Sequence, residues 1–411
     1  MEPSAAVEVA KQVLLTFGII LAAGTAFGVL AQKLRIPDVA VFLLVGIALG
    51  PALTGLVNIR TDSAINQLVL IFGASYVLFD GGASLRLKVL REVWITIVIL
   101  ATLGVLVTAA ITGIAAHYFL GLPATTALLL GAAIASTDPA TLVPVFRQVK
   151  IKDRVAQTVM SESAFNDATG AIITFAVLAV ATGKGGFSAG AVMWDLVKQA
   201  GIGLALGGVL GYLAILLIAH EKYGFLQEYA PVVSLMAVIG AYLGADGFQA
   251  SGFMAVFTFG IVVGNKDAFG VQMEKGDQAK LDDYVLTTAL VMRMFIFILL
   301  GTQVDFDLMN RYLIAGIATV LVFMLVARPV TVFVCATPDL RARWSLRELL
   351  FMCWTRETGV IPGALAGLLM GMGAPDAKVI ASVAFLAILM TILIQATTTR
   401  WLAAKLRLLE E

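Results

Sequence analysis

Two stretches of this sequence place acidic side chains and other oxygen donors inside long apolar runs. The first, 135–141, contains Thr137, Asp138 and Pro139. A proline inside a helix removes a backbone donor and clashes with the preceding turn, and it disfavours the helical conformation of the residue before it. The pattern predicts a helix interrupted at Asp138, where freed backbone groups and a carboxylate could bind a cation. The alternative is a proline kink in which Asp138 caps the second half-helix.

The second stretch, 161–167, brings four polar side chains onto two faces of one helix. At 3.6 residues per turn, Ser163 lies one turn from Asp167, and Glu162 lies one turn from Asn166. Hard cations prefer such oxygen ligands, and burial raises the proton affinity of a carboxylate. The spacing therefore indicates a site where a proton and a cation compete. A purely structural role for two buried acids is disfavoured by their cost.

A third stretch, 355–363, repeats the interruption in the second half of the chain. It places Arg356 and Glu357 among glycine, proline and apolar residues. Corresponding interruptions in two halves of a chain indicate the binding site of a transporter. We therefore pair 93–182 with 310–402 as two repeats, on position and interruption alone.

The elements that must position these residues are membrane-spanning helices. Apolar residues make up 60% of the 411 residues and charged residues only 13%, against about 25% charged in soluble domains. This composition excludes a soluble domain, a disordered chain and a disulfide-stapled scaffold, and a net charge of +1 gives no basic surface for nucleic acid. About 20 apolar residues span a bilayer. The predicted spans are thirteen: 12–33, 38–57, 63–82, 93–118, 123–146, 153–182, 190–219, 226–244, 248–264, 283–303, 310–336, 345–372 and 376–402.

The positive charges predict the orientation of these spans. Most lysines and arginines lie in alternate loops and in the C-terminal tail, and cytoplasmic loops are the ones enriched in such residues. We therefore expect the C-terminus in the cytoplasm and the N-terminus outside.

Three further charged residues within predicted spans are candidates: Asp80, Arg293 and Arg328. Each is a functional candidate because an ionisable group in a bilayer is costly. Arg293 stays open, because it lies near enough to the end of its span to extend towards the interface.

Together these residues resemble the monovalent cation/proton antiporters, in the prokaryotic sodium/proton exchanger branch with an Asn-Asp pair. The motifs are Thr137-Asp138-Pro139, Glu162-Ser163 followed by Asn166-Asp167, Phe79-Asp80-Gly81-Gly82, and Ala327-Arg328-Pro329. The resemblance implies an all-α polytopic membrane protein with two inverted repeats whose broken helices cross at the midplane. It also implies a mobile core of 93–182 and 310–402, and a scaffold of 12–82 and 190–303 that forms a homodimer.

The resemblance implies roles for the residues of the first two stretches. Asp167 matches the carboxylate that binds both cation and proton, with Ser163 and the carbonyl of Thr137 beside the cation. Asp138 matches the acid of the first broken helix. Asn166 matches the amide that replaces a second aspartate in the electrogenic branch.

The remaining residues match the family less evenly. Glu162 and Arg328 match a buried ion pair between the repeats. Asp80 stands where the family usually carries glutamate, so its shorter side chain leaves its reach to the ion open. Arg356 lies two residues before the usual arginine, and Glu357 is an extra acid without a counterpart.

We therefore predict a cell-membrane antiporter that exchanges Na⁺, with K⁺ or Li⁺ as alternatives, for H⁺ by alternating access. One titrating carboxylate, Asp167, predicts electroneutral one-to-one exchange. We expect no cofactor, enzymatic activity or nucleic-acid partner. A cation channel is a weaker alternative, since no filter loop is apparent. An intramembrane hydrolase with Asp138 and Asp167 as a dyad is another, which the asparagine beside Asp167 disfavours.

Overall fold

The computed structural model describes residues 5–34, 36–60, 63–138, 142, 145–146, 149–183, 189–219 and 224–409. Pro139, on which the first predicted interruption partly depends, lies outside this part of the chain. The described residues are mainly helical, and Ile151 pairs with Leu409 in an isolated antiparallel bridge.

The α-helices follow one another along the chain. They are α1 (Ala5–Leu34), α2 (Asp38–Leu49), α3 (Ala64–Ala83), α4 (Leu87–Ala101), α5 (Leu103–Leu120), α6 (Ala124–Ile134), α7 (Asp153–Ala181), α8 (Ala189–Ala219), α9 (Ala230–Gly247), α10 (Gly252–Gly264), α11 (Lys275–Thr302), α12 (Phe306–Arg311), α13 (Leu313–Val322), α14 (Arg328–Ala336), α15 (Leu346–Trp354), α16 (Val360–Gly371), α17 (Ala377–Met390) and α18 (Thr397–Lys405). Short 3-10 helices form at Gln227–Tyr229 and Lys266–Phe269. Two π-helical segments, Phe323–Ala327 and Thr391–Ala396, join α13 to α14 and α17 to α18.

Nine helical stretches of the described residues are long and apolar enough to cross a membrane. They comprise α1, α3, α4 with α5, α7, α8, α9, α11, α13 with α14, and α17 with α18. The chain is therefore an all-helical, multi-pass membrane protein. The other four predicted spans, 38–57, 123–146, 248–264 and 345–372, contain shorter apolar helices instead of continuous ones. In 38–57, 123–146 and 345–372, apolar residues continue past the ends of the helices, so hydropathy could not distinguish them. The helix in 248–264 fills most of its predicted span but has only 13 residues.

Two interruptions of helical structure contact each other inside the protein. Helix α6 ends at Ile134, and 355–359 separate α15 from α16. The backbone N–H of Asp138 in the first interruption donates to the carbonyl of Glu357 in the second, over 2.9 Å. A Cβ at Gly359 would overlap the Asp138 carboxylate, so this close approach requires glycine. We call 135–138 the first break and 355–359 the second break.

The loop between α14 and α15 is fastened to α4 by a buried carboxylate. Asp339 accepts hydrogen bonds at Oδ2 from the backbone N–H and the hydroxyl of Thr96, over 3.1 and 2.6 Å. Its Oδ1 accepts from the backbone N–H groups of Arg341 and Ala342, each over 3.1 Å. Burial alone would raise the pKa of the Asp339 carboxyl, but these hydrogen bonds hold that pKa below its ordinary value.

Helix α7 completes this attachment. The indole of Trp344 donates to the Thr96 hydroxyl over 2.9 Å. The guanidinium of Arg154 lies 4.1 Å from the centre of the Trp344 ring and donates to the carbonyl of Ala342. A loop of the second predicted repeat is thus fixed to two helices of the first.

Replacing Asp339 by asparagine should lower thermal stability, because one amide oxygen cannot accept at both positions. Leaving a buried donor unpaired costs about 1–3 kcal/mol. Since the Asp339 pKa is lowered by folding, the carboxylate's contribution is present above the ordinary carboxyl pKa and is lost as pH falls through the lowered value. The melting difference between wild type and Asp339→Asn in detergent should be constant near neutral pH and shrink in strong acid.

The exposed Asp267 provides the control. Asp267→Asn should change the melting temperature little. An Asp339→Asn deficit that persists unchanged in strong acid would contradict the assignment of the carboxylate.

Candidate functional site

Asp167 is a buried carboxylate without hydrogen-bond partners in the described part of the chain. It lies on α7, 1% exposed, one turn after the fully buried Ser163. Neither carboxylate oxygen accepts a hydrogen bond from described residues, and the Ser163 hydroxyl is also unpaired there. Ser136 of the first break lies close enough to interact with the carboxylate, but its hydroxyl does not meet hydrogen-bond geometry. An ionised carboxylate in such a position requires a cation or a proton.

Asn166 ties α7 to the first break. The backbone N–H of Thr137 donates to Asn166 Oδ1 over 3.0 Å, and Asn166 Nδ2 donates to Thr137 Oγ1 over 2.8 Å. The Asn166 side chain thus forms hydrogen bonds with both the backbone N–H of Thr137, which the interruption leaves free, and the Thr137 hydroxyl. The amide that the sequence analysis placed at the cation site therefore binds the break.

Asp138 is the residue of the first break whose backbone contacts the second break. It is 2% exposed, and the N–H of Leu142 donates to its carbonyl over 3.3 Å. This bond has the spacing of a helical one, which fits the alternative in which Asp138 precedes a second half-helix. Asp138 also lies near enough to Asp167 for their charges to repel. Two neighbouring carboxylates favour the uptake of a positive charge.

Glu162 and Arg328 form a bidentate ion pair with almost no solvent access. Their contacts are Nη1 to Oε1 at 2.5 Å and Nη2 to Oε2 at 2.9 Å. Arg328 also donates to the carbonyls of Met352, over 2.8 Å, and Thr355, over 3.4 Å. Arg328 begins α14 directly after a π-helical segment, a feature that is frequent at functional sites. The pair joins α7 to the end of α15 and to the second break.

Arg356 has a partner that the sequence did not indicate. Its guanidinium donates to the carbonyl of Ala135 and lies 5.0 Å from the centre of the Phe323 ring. Ala135 follows the last residue of α6, where the helix dipole is negative. The second break therefore supplies a positive charge to the end of the first half-helix.

Two other candidates lie among predicted scaffold helices. Asp80 lines a cavity of about 490 Å³ together with Lys266, Gln278 and Asp282. Arg293 is 9% exposed, and its Nη2 lies 3.5 Å from Asp38 Oδ2. Arg293 is therefore a buried member of a charge pair.

Sequence reasoning missed several polar residues that contact the second break. Thr391 Oγ1 accepts from the N–H of Thr358 over 3.1 Å, and Thr399 donates to Glu357 Oε1 over 3.4 Å. Gln395 lies between these two threonines in sequence. The available signal was three polar residues at intervals of four within an apolar run.

Comparisons with known proteins point to one family. Residues 18–405 match the family described as sodium/hydrogen exchanger, transmembrane. The chain is 32% identical over 360 residues to Na⁺/H⁺ antiporter 1 of Methanocaldococcus jannaschii, which covers 85% of this chain and 81% of that protein. It is 28% identical over 404 residues to the K⁺/H⁺ antiporter NhaP of Alkalimonas amylolytica, which covers 95% of this chain and 66% of that one.

A solved structure supports the same assignment. The fold is similar to that of the sodium proton antiporter MjNhaP1 from Methanocaldococcus jannaschii at pH 8, with a TM-score of 0.76 and 28% identity. The match covers 96% of this chain and 99% of that one.

Truncating either member of the buried pair should destabilise the protein strongly. Glu162→Ala and Arg328→Ala each leave an uncompensated buried charge, which costs roughly 3–5 kcal/mol. The double variant should lose less stability than the sum of the single losses, because it strands neither charge. Melting temperatures of the four proteins in one detergent test this coupling. Additive shifts would contradict it.

Proposed function

The chain belongs to the sodium/hydrogen exchanger family and is a monovalent cation/proton antiporter, and on that premise we propose that it exchanges Na⁺ for H⁺ by alternating access with Asp167 as the shared site. Membership in a transporter family excludes the intramembrane hydrolase considered above. Membership in this family also favours antiport over the cation channel considered above.

The observation that carries this proposal is the unpaired state of Asp167. Some buried polar groups around the breaks are paired, such as Asn166 with Thr137 and Glu162 with Arg328. The Asp167 oxygens accept no hydrogen bond from described residues. In the proposed cycle, Na⁺ binds Asp167 with Ser163 as a further oxygen ligand, and a proton replaces it on the return step. The same oxygens serve both ions, so binding of one excludes the other.

The first break supplies the remaining ligands in this proposal. Backbone carbonyls freed by an interrupted helix coordinate cations in transporters. Thr137 is attached to α7 through Asn166, one residue before Asp167, which supports the placement of its carbonyl beside the ion. Asp138 adds negative potential from the same break. Asp80 lines a cavity of about 490 Å³, and we place it on the path by which the cation approaches Asp167.

For alternating access, we propose that the core (93–182 and 310–402) moves against the scaffold (12–82 and 190–303). One apolar cluster contains residues from both predicted repeats, including Leu130, Val177, Phe323 and Ile380, which supports movement of the core as one body. The protein is proposed to be a homodimer through its scaffold. The distribution of lysine and arginine supports an outside N-terminus and a cytoplasmic C-terminus.

The choice of Na⁺ rests on similarity. A relative with 32% identity is named a Na⁺/H⁺ antiporter, whereas the 28% identical relative from Alkalimonas amylolytica is named a K⁺/H⁺ antiporter. Both proteins would present oxygen ligands, so cavity geometry decides between these ions. Adding each alkali cation in turn to proteoliposomes that contain a pH dye measures the selectivity directly.

Asp167→Asn should abolish cation-dependent proton flux in such proteoliposomes and leave folding largely intact. The amide keeps the shape of the side chain and removes the titrating oxygen. The exposed Asp267→Asn variant is the matched control and should retain exchange. Flux near the wild-type level in Asp167→Asn would refute the assignment.

Exchange should be electroneutral with one cation for one proton. A single carboxylate carries one positive charge in either direction, and Asn166 cannot titrate beside it. Moving one uncompensated charge is worth about 2.3 kcal/mol per 100 mV, so an electrogenic cycle would respond steeply to voltage. The Na⁺/H⁺ equilibrium point is read in vesicles clamped with K⁺ and valinomycin, after K⁺ transport is excluded. A systematic shift of this point with voltage would contradict the single-carboxylate cycle.

A further inference from the structure

Glu357 is a buried acid that the proposed antiport cycle does not use. It lies in the second break and is 0% exposed. The hydroxyl of Thr399 donates to its Oε1 over a long 3.4 Å contact. Its Oε2 accepts no hydrogen bond from the described residues. An ionised carboxylate in these surroundings requires a compensating positive charge.

Gln395 brings a second unsatisfied side chain to the same place. It is 0% exposed, and neither its amide oxygen nor its nitrogen has a hydrogen-bond partner among the described residues. Thr391, four residues earlier, contacts Thr358 of the second break, and Thr399, four residues later, contacts Glu357. Gln395 lies in the π-helical segment between these two contacts, and on that ground we place its side chain on the side of the second break.

Among the described residues around the two breaks, buried acids outnumber buried arginines. Four buried acids face two buried arginines: Asp138, Glu162, Asp167 and Glu357, with Arg328 and Arg356. Glu162 is paired with Arg328, and the transported ion compensates Asp167. Arg356 contributes one further charge, although its guanidinium is directed at the carbonyl of Ala135. Within the part of the chain that the structure describes, Glu357 forms no salt bridge.

We propose that Glu357, Gln395 and Thr399 form a second monovalent-cation site, separate from Asp167. The ligands are a Glu357 carboxylate oxygen, the Gln395 amide oxygen and the Thr399 hydroxyl oxygen. These are the hard oxygen donors that alkali cations accept, and a single carboxylate matches a single positive charge. The cation remains bound during exchange and holds the second break against the helix that carries Gln395 and Thr399. This proposal rests on the proposed function only in assigning the transported ion to Asp167.

The stoichiometry of binding tests the proposal on the full chain in detergent. Equilibrium dialysis against radioactive Na⁺ at alkaline pH should give two ions per wild-type chain. Glu357→Gln and Asp167→Asn should each bind one, and the double variant should bind none. A Glu357→Gln chain that binds as many Na⁺ ions as wild type would overturn the second site. Two ions bound to Asp167→Asn would instead refute the proposed function, so the two failures are distinguishable.

A thermal measurement tests the same ligands without removing the acid. In the Asp167→Asn background, replacing choline chloride with NaCl at constant ionic strength should raise the melting temperature, because only the folded chain binds the ion. Thr399→Ser retains the hydroxyl and should retain this rise. Thr399→Val has a similar shape without the hydroxyl and should reduce it. An equal rise in the serine and valine variants would overturn the role of Thr399. No rise in the Asp167→Asn background would overturn the site itself.

Discussion

The bidentate pair between Glu162 and Arg328 is the interaction on which the arrangement of the two breaks depends. A bilayer cannot solvate the backbone groups that an interrupted helix leaves free. Arg328 pairs with Glu162 and also donates to the carbonyl of Thr355, so one guanidinium fixes the second break against α7. With that break in place, the carbonyl of Glu357 accepts a hydrogen bond from the backbone N–H of Asp138. A backbone group freed by one interruption thereby forms a hydrogen bond with a backbone group freed by the other.

Several polar groups around the breaks hold the structure, and Asp167 is the one that the proposed cycle uses for exchange. Asn166 binds Thr137, and Arg356 compensates the end of α6. These contacts explain how two interrupted helices can stay folded inside a membrane, where freed backbone groups have no water to bind. Asp167 lies beside them with both oxygens unpaired by described residues. Ion binding at Asp167 therefore need not break the contacts that hold the two breaks together.

Features that depend on neighbouring residues in the chain could be predicted from the sequence. Helical spans follow from apolar runs, and charge with glycine or proline inside a run marked both breaks. The partners of Glu162 and Arg328 were identified only through their resemblance to family motifs. The contact of Arg356 with the carbonyl of Ala135 links residues far apart in the chain, and a backbone acceptor has no sequence signal. Gln395 was missed because a lone amide in an apolar run resembles an ordinary core residue.

Proton release on cation binding tests most directly whether Asp167 is shared by both ions. Purified protein in weakly buffered detergent solution, at a pH where Asp167 is largely protonated, receives NaCl while a pH dye reports released protons. Choline chloride serves as the control for ionic strength. Both proteins compared carry Glu357→Gln, so that only Asp167 can exchange a proton for Na⁺. We expect release of up to one proton per chain on addition of Na⁺, saturating with Na⁺ concentration and absent when Asp167→Asn is added. Equal release with and without Asp167→Asn, or Na⁺ binding without any release across the pH range, would contradict the shared site.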